Sequence, residues 1–68
     1  MIVKVFDHET DAEIHQYNPE NNARVPFTND RIWVPDNGDV PYIVRERHFD
    51  YSTDPTVLRL YCVEENRA

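Results

Sequence analysis

Three carboxylates and an imidazole crowd one short stretch, Asp7-His8-Glu9-Thr10-Asp11, and oxygen donors at that density are what a hard cation requires. The spacing does not complete such a site. An EF-hand loop needs glycine midway for its sharp turn, and the corresponding residue here is Ala12. The stretch therefore reads as a solvated acidic turn. His8, His15 and His48 show no metal-ligand spacing, although His15 and His48 would meet if strand pairing aligned them. Neither a metal nor a cofactor is expected.

The raw parts of nucleophilic catalysis are present, but not their setting. Cys62 sits between Tyr61 and Val63 in an apolar run, as a small buried hydrophobe does. Ser52, Thr53 and Thr56 surround Asp54, yet no nucleophile elbow or oxyanion nest accompanies them. Gly38 is the only glycine, so no phosphate-cradling loop can be built. A barrel of this size also has little interior to spare for a ligand. The expectation is a protein without enzymatic activity and with no catalytic residue.

Arginine and aromatic side chains offer a better case for binding. Arg31, Arg45, Arg47 and Arg59 lie near Trp33, Tyr42 and Tyr61 in the chain, the mixture with which single-strand nucleic-acid platforms contact phosphates and stack bases. Asp30, Glu46 and Asp50 are interleaved with them and can pair with the arginines across strands. The same residue types fill the centres of protein interfaces, where no basic field is needed.

Charge favours the protein partner. Thirteen acids against seven Lys and Arg give a net charge of −6, a field that opposes duplex nucleic acid. The first twenty residues hold five of those acids and only Lys4, so the N-terminal end is the acidic pole. Asp7, Glu9, Asp11 and Glu13 would steer a basic partner, such as a nucleic-acid-binding protein, with Trp33, Tyr42, Arg45 and Arg47 forming the contact.

The elements that must position these residues are strands. Sixty-eight residues, 40% hydrophobic with one cysteine, make a single small domain with no disulfide to staple it. Residues 2–6 and 12–17 read as a hairpin across the acidic turn. Asn18-Pro19-Glu20-Asn21-Asn22 opens the longest loop, in which Phe27 is expected to tuck under the domain as a plug. Arg31-Ile32-Trp33-Val34 forms a third strand, ended by the Pro35-Asp36-Asn37-Gly38-Asp39 turn. In the fourth, Tyr42 and Val44 are out of phase with Phe49 and Tyr51, and a bulge near Glu46-Arg47-His48 would bring both pairs to one interior. Residues 57–63 alternate most clearly, and residues 64–68 read as a frayed charged tail.

The fold class is thus all-β, a five-stranded antiparallel barrel or strongly bent sheet spanning residues 1–68. The order hairpin, loop, Ile32-Trp33-Val34, turn, Tyr42-Ile43-Val44-Arg45, turn, Val57-Leu58-Arg59-Leu60-Tyr61 resembles uncharacterised small SH3-like β-barrel proteins of bacterial and phage genomes over residues 2–63. Asn29-Asp30 stands where many of them carry a Gly-Asp turn. An OB-like barrel is the competing architecture, although it usually needs a longer chain. In size and charge the chain also resembles small phage inhibitors of bacterial defence, including anti-CRISPR proteins, which implies an acidic mask over a basic groove. A single-strand nucleic-acid binder and a small oligomer-forming subunit are the alternatives. The opening segment lacks the form of a signal peptide and no apolar run is of membrane-spanning length, so a soluble cytoplasmic protein is expected.

Overall fold

The computed structural model describes residues 1–20, 24–35 and 37–67. Asn21 and Asn22 of the long loop, Asp36 of the glycine turn and Ala68 of the tail lie outside the described residues. Five strands, β1 (Ile2–Asp7), β2 (Glu13–Tyr17), β3 (Arg31–Ile32), β4 (Tyr42–Asp50) and β5 (Val57–Glu64), form one sheet in the order β2-β1-β5-β4-β3. The sheet is strongly curled into a half-barrel, and the described residues contain no α-helix, only a 3-10 turn at Glu65–Arg67.

The sheet is mixed rather than wholly antiparallel. β1 and β5 run parallel, from Ile2 opposite Val57 to Asp7 opposite Cys62, while the other pairs are antiparallel. These are the two strands with the strictest apolar alternation, so both gain most from the centre of the sheet, where neighbours cover each side. β2 and β4 attach to the outer sides of this pair as antiparallel hairpins, and the chain between β2 and β4 serves as the crossover that the parallel pairing requires.

One face of the sheet is the core. Val3, Val5, Val44, Leu58, Leu60 and Cys62 are fully buried there, and Val34, Ile14, Tyr17, Val25 and Ile32 close over them. Burying each such aliphatic side chain contributes about 1.5–3 kcal/mol. The β4 bulge lies between Val44 and Glu46, slightly earlier than the sequence suggests. It sets Val44, Arg47 and Phe49 opposite Cys62, Leu60 and Leu58. Phe49 and Tyr51 thereby gain the expected phase yet stay exposed, because β3 pairs only with the upper end of β4 and no described strand pairs with the free side of its lower end.

β3 is shorter than expected. Trp33 leaves the sheet and donates its indole N–H to the Asp39 carbonyl at 3.3 Å, while Val34 turns into the core ahead of Pro35, which has no N–H for a ladder. Phe27 is not a plug but is 48% exposed. Its N–H donates to the Asp30 carboxylate at 2.8 Å and its carbonyl accepts from the Asp30 N–H at 3.0 Å, in a tight turn with Asn29 at φ 77°; Val25 enters the core instead. The glycine turn forms as expected. Gly38 takes φ 60°, and the Asn37 side-chain amide donates to the Val40 carbonyl at 2.8 Å.

Burial first, and then the charge of Asp7 beside it, push the Cys62 thiol up to about 12. A thiol-exchange reagent at pH 8 should therefore leave native Cys62 unmodified and titrate one thiol per chain in guanidinium. Rapid labelling of the native protein would contradict a sealed core.

Candidate interaction site

The inward residues of β2 and β3 face each other across the open side of the half-barrel. β2 contributes His15 and Tyr17, whose rings stack at 5.8 Å, and the β3 side contributes Arg31, Ile32, Trp33 and Val34. Together with Val5 and Pro26 they line a solvent-open groove of about 570 Å³, within the size range of ligand and peptide sites. Trp33 stands at its rim, 62% exposed. Arg31 is held by Glu65, its Nε donating to Oε1 at 2.6 Å. Burial raises the Tyr17 phenol above its ordinary value, so it stays a neutral donor in the groove.

The other residues singled out in the sequence fare differently. Tyr42 is a core residue, only 5% exposed, and offers nothing to a partner. Its phenol is pushed up by burial and then by Glu64 and Asp7. Arg45 is exposed at the bulge. The guanidinium of Arg47 lies between the faces of Phe27, at 4.6 Å, and Phe49, at 5.2 Å, while Phe49 stacks on Tyr51 at 6.0 Å. The buried Nε of Arg47 has no hydrogen-bond partner. Arg47 therefore belongs to a second patch, at the lower end of β4, and not with Trp33.

The acidic hairpin is only partly a free field. Asp7 is buried and structural: its Oδ1 accepts the Glu9 N–H at 2.9 Å and its Oδ2 accepts from Arg67 at 3.2 Å. Arg67 also donates to Glu9 at 2.8 Å and to Glu64 at 2.6 Å. Partial burial disfavours its charge, but Glu64, Glu9 and Asp7 outweigh this and raise its pKa. Glu13 stands 3.9 Å from Lys4, and Asp11 is exposed in the turn at φ 59°. Asp11 is thus the carboxylate of this group that has no ion pair among the described residues.

Among the described residues no group of three or more His, Cys, Asp or Glu side chains is placed to hold a metal ion. His15 and His48 do not meet: His15 faces the groove, while His48 lies 4.9 Å from the Tyr61 ring on the outer face. Tyr61 also stacks on Phe6 at 5.3 Å, and His8 pairs with Glu46 at 3.2 Å. The Ser52 and Thr53 hydroxyls are engaged in their own turn, on Asp50 and the Pro55 carbonyl. No described helix is long and apolar enough to cross a membrane.

The chain matches no protein-family model, no curated protein and no solved structure. Trp33 was singled out from its type, whereas His15, Tyr17 and Pro26 beside it were not, because their nearness depends on where the curl leaves the sheet open. The partners of Arg47 were equally hidden, since Phe27 and Phe49 come from separate elements.

Arg59 is withdrawn from the cationic surface by Asp50, 3.0 Å away. Hydrogen bonds from the Ser52 hydroxyl and N–H, followed by Arg59, lower the Asp50 carboxyl from 3.8 to about 2. A carboxylate with a depressed folded-state pKa contributes stability above its unfolded pKa and loses it as pH falls through the folded value. Thermal melts should therefore show wild type losing stability faster than Asp50→Asn between pH 4 and pH 2; parallel losses would refute the linkage.

Proposed function

We propose that the chain is a non-enzymatic protein-binding module whose contact surface is the groove between β2 and β3. The observation that carries this reading is Trp33, a large amphipathic ring standing exposed beside an apolar-floored groove. Tryptophan is the residue most enriched at binding hot spots, and an exposed one in a chain with eight aromatics is costly to leave without a use. The net charge of −6 suits a basic partner, with Asp11 and Glu13 nearest the start of β2 to steer it.

The most specific form of this reading is an inhibitor from a phage or other mobile element that masks a basic surface, such as the nucleic-acid groove of a bacterial defence complex. Small size and acidity, which are all that the likeness to phage inhibitors consists of, are what support that form. The second reading, a single-strand nucleic-acid binder of SH3-like build, is favoured by one observation: Arg47 sandwiched between Phe27 and Phe49 with Tyr51 stacked beyond, an arrangement suited to phosphate contact and base stacking.

Affinity capture from lysates of candidate bacterial hosts separates the two. Trp33→Ala should weaken a captured protein by about thirtyfold, the scale of a hot spot, while leaving the melting temperature within a few degrees. Reversing Asp11 and Glu13 to lysine should slow association about tenfold at low salt. Undiminished capture by Trp33→Ala would overturn the groove as contact surface. Salt-sensitive oligonucleotide binding that Arg47→Ala abolishes would favour the second reading.

A further inference from the structure

Both strands that border the groove are edges of the sheet, and each directs main-chain groups away from its one paired neighbour. β1 turns its even-numbered N–H groups toward β5, as the bonds from Ile2 N–H to the Thr56 carbonyl at 2.9 Å and from His8 N–H to the Cys62 carbonyl at 2.8 Å show at either end. Its odd-numbered groups therefore bond β2, at Val3 opposite Tyr17 and Val5 opposite His15. By the alternation of an antiparallel ladder, the N–H and C=O of Gln16 point away from β1.

The same logic applies across the gap. Val44 N–H donates to the Asp30 carbonyl at 3.0 Å, and Ile32 lies opposite Tyr42. Arg31, between them, therefore directs its N–H and C=O away from β4. Natural edges are normally guarded by lysine, proline or a bulge. β2 carries its bulge at the Glu13 end, and Pro19 follows it, but His15-Gln16-Tyr17 has no such guard.

From this geometry we infer that the groove receives an extended segment of a partner protein as a sixth strand, pairing with Gln16 of β2 on one side and Arg31 of β3 on the other, so that the half-barrel closes. The inference rests on the protein-binding reading above and specifies its partner. A residue in a paired strand fills about 3.3 Å of rise, about 4.8 Å of width and about 10 Å of layer, roughly 160 Å³. The groove of about 570 Å³ thus holds three to four such residues. β2 and β3 run in opposite directions, and antiparallel pairing with the longer edge, β2, is the more stable choice. The inward side chains of the segment meet Val5, Pro26 and Val34 and are apolar. Its C-terminal side reaches the end of the groove where β2 begins and Trp33 follows β3.

A displayed library of random dodecapeptides, panned on the intact protein, supplies the probes, and amide hydrogen exchange by NMR reads the pairing. Selected peptides should alternate apolar residues, lose affinity at least tenfold on Trp33→Ala, and slow exchange at Gln16 and Arg31 at least tenfold when saturating. Loss of affinity with Trp33→Ala while exchange at both amides is unchanged would overturn strand addition and leave the groove as a binding surface. Binding indifferent to Trp33→Ala, with shift changes centred on Phe27, Arg47 and Phe49, would overturn both. A library that yields no binder would overturn strand addition, and lysate capture would still decide the broader reading. Protection of Gln16 that grows with protein concentration and is unaltered by peptide would mean that a second copy fills the groove, which also refutes the inference.

Discussion

The parallel pairing of β1 with β5 is the constraint on which the remaining structure depends. It joins the two most apolar segments of the chain and places Val3, Val5, Leu58, Leu60 and Cys62 on one face. Once that pair is central, β2 and β4 can attach only on its outer sides, and β3 only beyond β4. A single-layer sheet with one apolar face must then curl and draw in loop side chains to shield it, as Val25 and Val34 do. The curl does not finish the circle, because β3 is two residues long and offers little for β2 to meet. The groove is what an incompletely closed barrel leaves.

Electrostatics follows the same layout. Arg67, just past the end of β5, draws Asp7, Glu9 and Glu64 together, so the acidic pole is partly neutralised from within. Lys4, Arg31 and Arg59 are each matched to a carboxylate. Exposed pairs of this kind are worth about 0–1 kcal/mol apiece, and their larger effect is on where unmatched charge remains. Among the described residues Arg24, Arg45 and Arg47 pair with no carboxylate, and Arg24 and Arg47 both lie against Phe27. A chain of net charge −6 thus keeps a local cationic and aromatic corner at the lower end of β4, away from the Trp33 groove.

Much of the architecture was legible in local patterns. The β1–β2 hairpin, the Asn37-Gly38 turn, the bulge in β4 and the burial of Cys62 all follow from alternation and turn chemistry within a few residues. What escaped was decided by long-range packing. Tyr42 and Trp33 are both aromatics at strand ends, yet one is core and the other exposed, and nothing in their immediate neighbours distinguishes them. The difference arises because Tyr42 packs into the core cluster with Val34 and Ile14, whereas Trp33 lies beyond the last paired residue of β3. The parallel direction of the central pair was equally illegible, since alternation in β1 and β5 is the same for either direction.

A sheet whose centre is built from the first and last strands has a consequence for its history as well as its shape. During synthesis β1 emerges first, but the neighbour that buries its inner side, β5, is more than fifty residues away. The ordering entropy of that long closure falls due before the core can repay it. Until β5 leaves the ribosome the chain holds only hairpins, with Val3 and Val5 uncovered, and its many carboxylates are then what keeps a nascent β-rich segment from finding the wrong edge.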